Sequence, residues 1–171
     1  MVLFAAPSER TGTRGSVYGN FVDLDASVVD EDDNADVAVL SVGENVLRPN
    51  AFRGEFNGIG PLPKLPRFHL GSPREGEMIS VSGFPLSIPV IVTTTGWLAT
   101  RLFIDERQRF LYLGDVQVNH GNSGGPAYLD SDGAVIGLVV QYRPAPEGNS
   151  RLTVIVPIRC AFDLLKPKTG T

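Results

Sequence analysis

A chain of 171 residues has room for one globular body or two small sheet units, and not for several independent domains. Its 42% hydrophobic and 20% charged residues exclude a largely disordered chain, and no apolar run is long enough to cross a bilayer. The net charge of −4 offers no broad attraction to phosphate backbones or anionic lipid, so neither nucleic acid nor membrane is an expected partner.

From the start of the chain, 19 glycines and 13 prolines punctuate short runs rich in Val, Ile, Leu, Thr and aromatics, the pattern of antiparallel strands and turns. Strands are expected over residues 2–6, 17–24, 37–42, 78–82, 90–99, 110–113, 134–141 and 152–156. The apolar run 2–6 is too short for the core of a signal peptide, so export is not expected. Asp30, Glu31, Asp32 and Asp33 read as a solvated turn; a calcium loop of the EF-hand type would need a glycine and a terminal glutamate that are missing here. No metal and no cofactor is expected. Residues 48–74, rich in Gly, Pro and basic positions, are expected to connect two halves. A short helix is expected over 159–166, with Cys160, Phe162, Leu164 and Leu165 on its apolar face and Pro167 as its stop. Cys160 is the only cysteine, which rules out an internal disulfide and fits a reducing, cytoplasmic setting.

The most informative segment is Asn119-His120-Gly121-Asn122-Ser123-Gly124-Gly125-Pro126. Glycines on both sides of a serine let the backbone turn sharply and let N–H groups converge on one point, as stabilising the oxyanion of acyl transfer requires. The natural donors are the amides of Gly121 and Ser123, with Asn122 between them. A Gly-rich hairpin with an incidental serine is the plainer reading. Gly121 to Gly125 also fits the nucleophile elbow of α/β-hydrolases, but that fold needs a histidine after the serine. Both histidines, His69 and His120, precede Ser123.

The string Gly-Asn-Ser-Gly-Gly-Pro resembles the nucleophile motif of chymotrypsin-like serine proteases, closest to the HtrA-type branch. The flanking text agrees: Gly114-Asp115-Val116-Gln117-Val118-Asn119 before it, Asp132-Gly133-Ala134-Val135-Ile136-Gly137-Leu138 after it, and Val154-Ile155-Val156-Pro157-Ile158 where that family has its last strand. Residues 76–85 and 92–97 resemble the opening strands of the family's second barrel. Asp36-Val37-Ala38-Val39-Leu40 is similar to the segment carrying the triad aspartate, which would make Asp36 the residue that orients the histidine.

The resemblance implies an all-β, two-barrel, trypsin-like fold with a short C-terminal helix. Residues 1–70 would form an incomplete N-terminal barrel carrying Asp36, and residues 71–171 a C-terminal barrel carrying Ser123. It implies a serine endopeptidase acting through an acyl-enzyme on peptide or protein substrates; the oligomeric state stays open. The primary pocket would be lined by Val116, Gln117, Val118, Asn119, His120, Val139, Val140, Gln141, Tyr142 and Ile155. That lining holds no carboxylate, so small or medium apolar side chains are expected rather than Lys or Arg. About half of its valines would, on strand alternation, simply pack the barrel.

One component is missing. A serine hydroxyl needs a neighbouring group to take its proton. In the resembled family a histidine does so after a Val-Leu-Thr-Ala-Ala-like strand; Val2-Leu3-Phe4-Ala5-Ala6 resembles that strand, and Pro7 stands where the histidine would fall. The 171 residues are therefore expected to hydrolyse peptides poorly or not at all. His120 would sit at the pocket lip, better placed for substrate than for Ser123. The order Asp36, His69, Ser123 imitates subtilisin, whose helices this sequence does not supply. Two alternatives stay open: a protease whose first strands and base belong to missing upstream sequence, and a pseudoprotease that binds peptide by strand addition.

Overall fold

The computed structural model describes residues 2–6, 20–24, 26–42, 66–87, 91–144 and 151–167. Among them, β1 (Val2–Ala6) and β2 (Asn20–Leu24) form an antiparallel pair, with Val2 opposite Leu24 and Ala6 opposite Asn20. A second pair joins β3 (Ala26–Asp32) to β4 (Val37–Val42). The remaining strands are β5 (Met78–Gly83), β6 (Val92–Ile104), β7 (Phe110–Asp115), β8 (Pro126–Leu129), β9 (Val135–Pro144) and β10 (Arg151–Pro157). They close a barrel in the order β10-β7-β6-β5-β8-β9, so none of the six leaves a whole edge unpaired. Helix α1 (Ile158–Leu164) follows β10 directly.

The chain divides into two units, Met1–Val29 with Leu40–Leu65, and Asp30–Val39 with Pro66–Thr171. The second holds the barrel, the helix and the tip of the β3–β4 hairpin. The alternation of side chains along each strand gives this unit two apolar layers. Inside the barrel lie Ile79, Val81, Leu98, Tyr112, Ala127, Leu129, Ile136, Val139 and Ile155. Their neighbours on β7 and β10, Leu111, Leu113, Val154 and Val156, join a second cluster with Val37; Ala35, Cys160, Ala161 and Leu164 pack against it. The hairpin tip and the helix thus cover one barrel face. Each fully buried Val, Leu or Ile contributes about 1.5–3 kcal/mol, so both layers matter to stability.

All eight expected strands are present, with β5, β6, β7, β9 and β10 longer than expected. Two were not anticipated. β3 is exposed along nearly its whole length, so no apolar alternation announces it, and Asp30, Glu31 and Asp32 lie in this strand rather than in a turn. β8 has four residues, two of which, Ala127 and Leu129, face the core, and its glycine- and proline-rich lead-in masks the signal. The helix begins one residue earlier than expected and ends at Leu164; Leu165 is 57% exposed instead of joining the apolar face. Of the expected connection, residues 48–65 lie outside the described residues. Residues 66–70 strap the start of β9: Val135 N–H donates to Arg67 O and His69 N–H to Val135 O, both at 2.8 Å. Phe68 meets Phe162 of α1 edge-on at 5.1 Å. No helix among the described residues is long and apolar enough to cross a membrane.

Candidate active site

The turn over residues 119–125 is held between two strands by main-chain groups. On one side, Gly121 O accepts Phe84 N–H at 3.2 Å and His120 O accepts Leu86 N–H at 2.7 Å, just past the end of β5. On the other, Gly124 N–H donates to Val139 O at 2.7 Å and Val139 N–H donates to Gly125 O at 2.9 Å. This seating explains two glycines. Gly121 has φ +98°, and a Cβ on it would lie 2.1 Å from Phe84 O. A Cβ on Gly83 would lie 2.9 Å from Asn122 Cα. Neither position admits a side chain without moving backbone.

Within the turn, Asn122 N–H donates to Asn119 O at 3.0 Å and Gly125 N–H to Asn122 O at 2.9 Å. Asn122 is 2% exposed, and its Oδ1 accepts Asn119 N–H at 3.0 Å. Of the three residues expected around an oxyanion, Asn122 therefore spends its amide inside the turn. Among the described residues, Gly121 N–H and Ser123 N–H donate to no protein acceptor. A developing negative oxygen is stabilised by unspent donors where they converge on one point. Ser123 is exposed, and its Oγ donates to Val140 O at 3.0 Å rather than to an imidazole nitrogen.

Asp36 ends the turn before β4, exposed and at φ +59°, a conformation aspartate tolerates better than most residues. The tip is shaped by Asp32, whose Oδ1 accepts Asn34 N–H at 2.9 Å and Ala35 N–H at 3.0 Å. No hydrogen bond joins Asp36 to Ser123 among the described residues. A shorter chain of contacts does connect their neighbours: Val37 is buried in the outer cluster, Val140 packs against that cluster, and the Val140 carbonyl receives the Ser123 hydroxyl.

Among the described residues, no hydrogen bond joins either histidine to Ser123. His69 is bonded at Val135 and Ser123 at Val140, five residues further along β9, or about 16 Å of extended strand. His120 is exposed at the edge of the turn, its carbonyl fixed by Leu86. Pro7 lies outside the described residues. Burial pushes the Cys160 thiol pKa up, with Asp163 and Asp32 adding to the effect, which disfavours its thiolate.

Four of the expected pocket residues, Val116, Val118, Val139 and Ile155, belong to the barrel interior. Gln117 is exposed, and its carbonyl accepts Thr94 Oγ1–H at 2.7 Å; Asn119 and Val140 are half-buried. Gln141 and Tyr142 pair with Val154 and Thr153 of β10, and their side chains lie outside the described residues. No group of three or more metal-ligating side chains occurs among the described residues. The Phe84 and Leu86 amides and the Val140 carbonyl were not anticipated as parts of this site. Only Gly83-Phe84-Pro85 carried any sign of the first two, and a carbonyl leaves none in sequence.

The comparisons fit this geometry. The model of the trypsin-like peptidase domain matches residues 5–138, a span that includes Asp36 and the whole turn around Ser123. Among solved structures, the fold is similar to that described as "HtrA-type protease AlgW with decapeptide", with a TM-score of 0.63 and 21% identity. That match covers 82% of this chain and 39% of the other, so this chain spans well under half of that protein's length. No curated protein matches the sequence. The chain belongs to the trypsin-like peptidase domain family, a family of proteases.

Proposed function

We propose that this chain carries the machinery of a serine endopeptidase without its general base. Ser123 is the nucleophile, the Gly121 and Ser123 amides receive the oxyanion, and Asp36 is the carboxylate that would orient an imidazole. The observation that carries the reading is the pair of unspent amides beside an exposed serine hydroxyl. Asp36 is supported by its place in the matched region and by the packing of Val37 and Val140 in one cluster. With Pro7 at the histidine position, these 171 residues hydrolyse peptide bonds poorly or not at all. The substrate class is an extended peptide or protein with a small or medium apolar side chain at the cleaved position. A cytoplasmic location goes with the single cysteine.

Fluorophosphonate labelling tests this. The chain as it stands should label weakly, Pro7→His should label at least ten-fold faster, and adding Ser123→Ala should abolish the gain. Strong labelling of the unaltered chain would overturn the missing-base reading; an unimproved Pro7→His would remove the assignment of that position.

A second reading, a peptide-binding pseudoprotease, is favoured by the Ser123 hydroxyl being engaged with Val140 O. Binding of an extended apolar peptide at equal strength by the chain and by Ser123→Ala, with no labelling in Pro7→His, is the outcome it requires.

A further inference from the structure

We infer that the Asn122 side chain is a positioning residue: an uncharged amide brace that builds the turn around Ser123 in advance and decides which main-chain amides stay free. The inference rests on the reading of that turn given under Proposed function and adds the device that holds it.

Asn119 and Asn122 are tied twice. The Asn122 N–H donates to Asn119 O at 3.0 Å, and the Asn119 N–H donates to Asn122 Oδ1 at 3.0 Å. The next link, Gly125 N–H to Asn122 O at 2.9 Å, hands the turn on to the start of β8. The side chain does this from an enclosed position, 2% exposed, against Gly83, where a Cβ would stand 2.9 Å from both Cα and Nδ2 of Asn122. The amides of Asn119, Asn122, Gly124 and Gly125 are all spent within the protein, whereas those of Gly121 and Ser123 donate to no acceptor among the described residues.

The brace contains no titrating group. The segments bonded to the turn contribute Phe84, Leu86, Val139 and Val140, none of them titratable, and His120 is the one titratable side chain on the turn itself. Among the described residues, the turn is therefore built without a carboxylate–ammonium pair.

Amide hydrogen exchange measured by NMR on the full chain tests this. The amides of Asn119, Asn122, Gly124 and Gly125 should be protected and those of Gly121 and Ser123 should exchange near the free rate. After correction for intrinsic rates, protection at Asn119 should be flat from pH 7 to pH 9. Asn122→Ala should speed exchange at Asn119 and Gly125 at least ten-fold while Val154 and Ile155 in β10 stay as they were. Asn122→Asp, which keeps an acceptor in place of Oδ1, should restore most of the protection at Asn119. Unchanged exchange at Asn119 in Asn122→Ala, no rescue by Asn122→Asp, or protection that falls between pH 7 and pH 9 would each overturn the brace. Failure of Pro7→His to label would leave these exchange results intact, so the two readings fail separately.

Discussion

Two turns of the barrel unit carry the polar groups of the candidate site, and they are built differently. Residues 119–125 are held by four main-chain bonds to the segment after β5 and to β9, three of them made by a glycine of the turn. Residues 32–37 are closed by their own side chain, Asp32, and rest on the barrel through the buried Val37. A turn seated backbone to backbone has no room to adjust. One capped by a side chain loses its parts singly, each for the cost of a hydrogen bond or a packed methyl group. The proposed nucleophile sits on the backbone-seated turn and the proposed orienting carboxylate on the side-chain-capped one.

The sharpest way to break the comparison is Gly121→Ala. Its Cβ would meet Phe84 O at 2.1 Å in a left-handed conformation, and a loss of about 3 kcal/mol or more in urea denaturation is expected. Gly124→Ala has a similar φ, +81°, but open space around the new Cβ, and should cost only about 1–2 kcal/mol. Equal losses would mean that Phe84 is not what constrains the turn. Val37→Ala should cost about 2 kcal/mol by thinning the outer cluster under the hairpin.

Smaller effects are expected at the hairpin tip itself. Asp32→Ala gives up two backbone caps and should lower stability by about 1 kcal/mol. Asp36→Gly should do the opposite, gaining up to about 1 kcal/mol by relieving the left-handed φ, while abolishing any labelling gained in Pro7→His. If it destabilises the fold instead, Asp36 is a structural residue and its assigned role falls.

A third turn, between β6 and β7, extends the comparison to charge. Asp105 accepts Arg109 Nε–H at 2.7 Å and the amides of Arg107 and Arg109, both at 3.0 Å. The Arg109 side chain is the main reason its carboxyl is held below the usual range. A lowered folded pKa means stabilisation that is complete above the ordinary aspartate value of about 3.9 and lost as pH falls through the lower folded value. Melting temperature against pH should show that acid decline, and Asp105→Asn should flatten it. Asn122→Ala, which removes no charge from the turn at 119–125, should leave that acid decline unchanged.

Some of this was legible without coordinates because it is written in side chains close together in the chain. Short runs rich in Val, Ile and Leu marked β5 and β9, and Gly-Asn-Ser-Gly-Gly-Pro marked a turn shaped around a serine. β3 was hidden because a strand exposed along its length has no apolar period to betray it. β8 was hidden because four residues are too few to establish one.

The residue types alone determined that a serine turn exists, that an aspartate stands upstream in the order of the family, and that neither histidine follows the serine. The tertiary structure alone decided that β5 lies between β6 and β8, that His69 is tied to the far end of β9, that two amides of the turn are left unspent, and that the Val140 carbonyl holds the Ser123 hydroxyl. The physical reason is that every residue but proline carries the same N–H and C=O, so which of them meet depends on how distant strands pair and not on which side chains they bear.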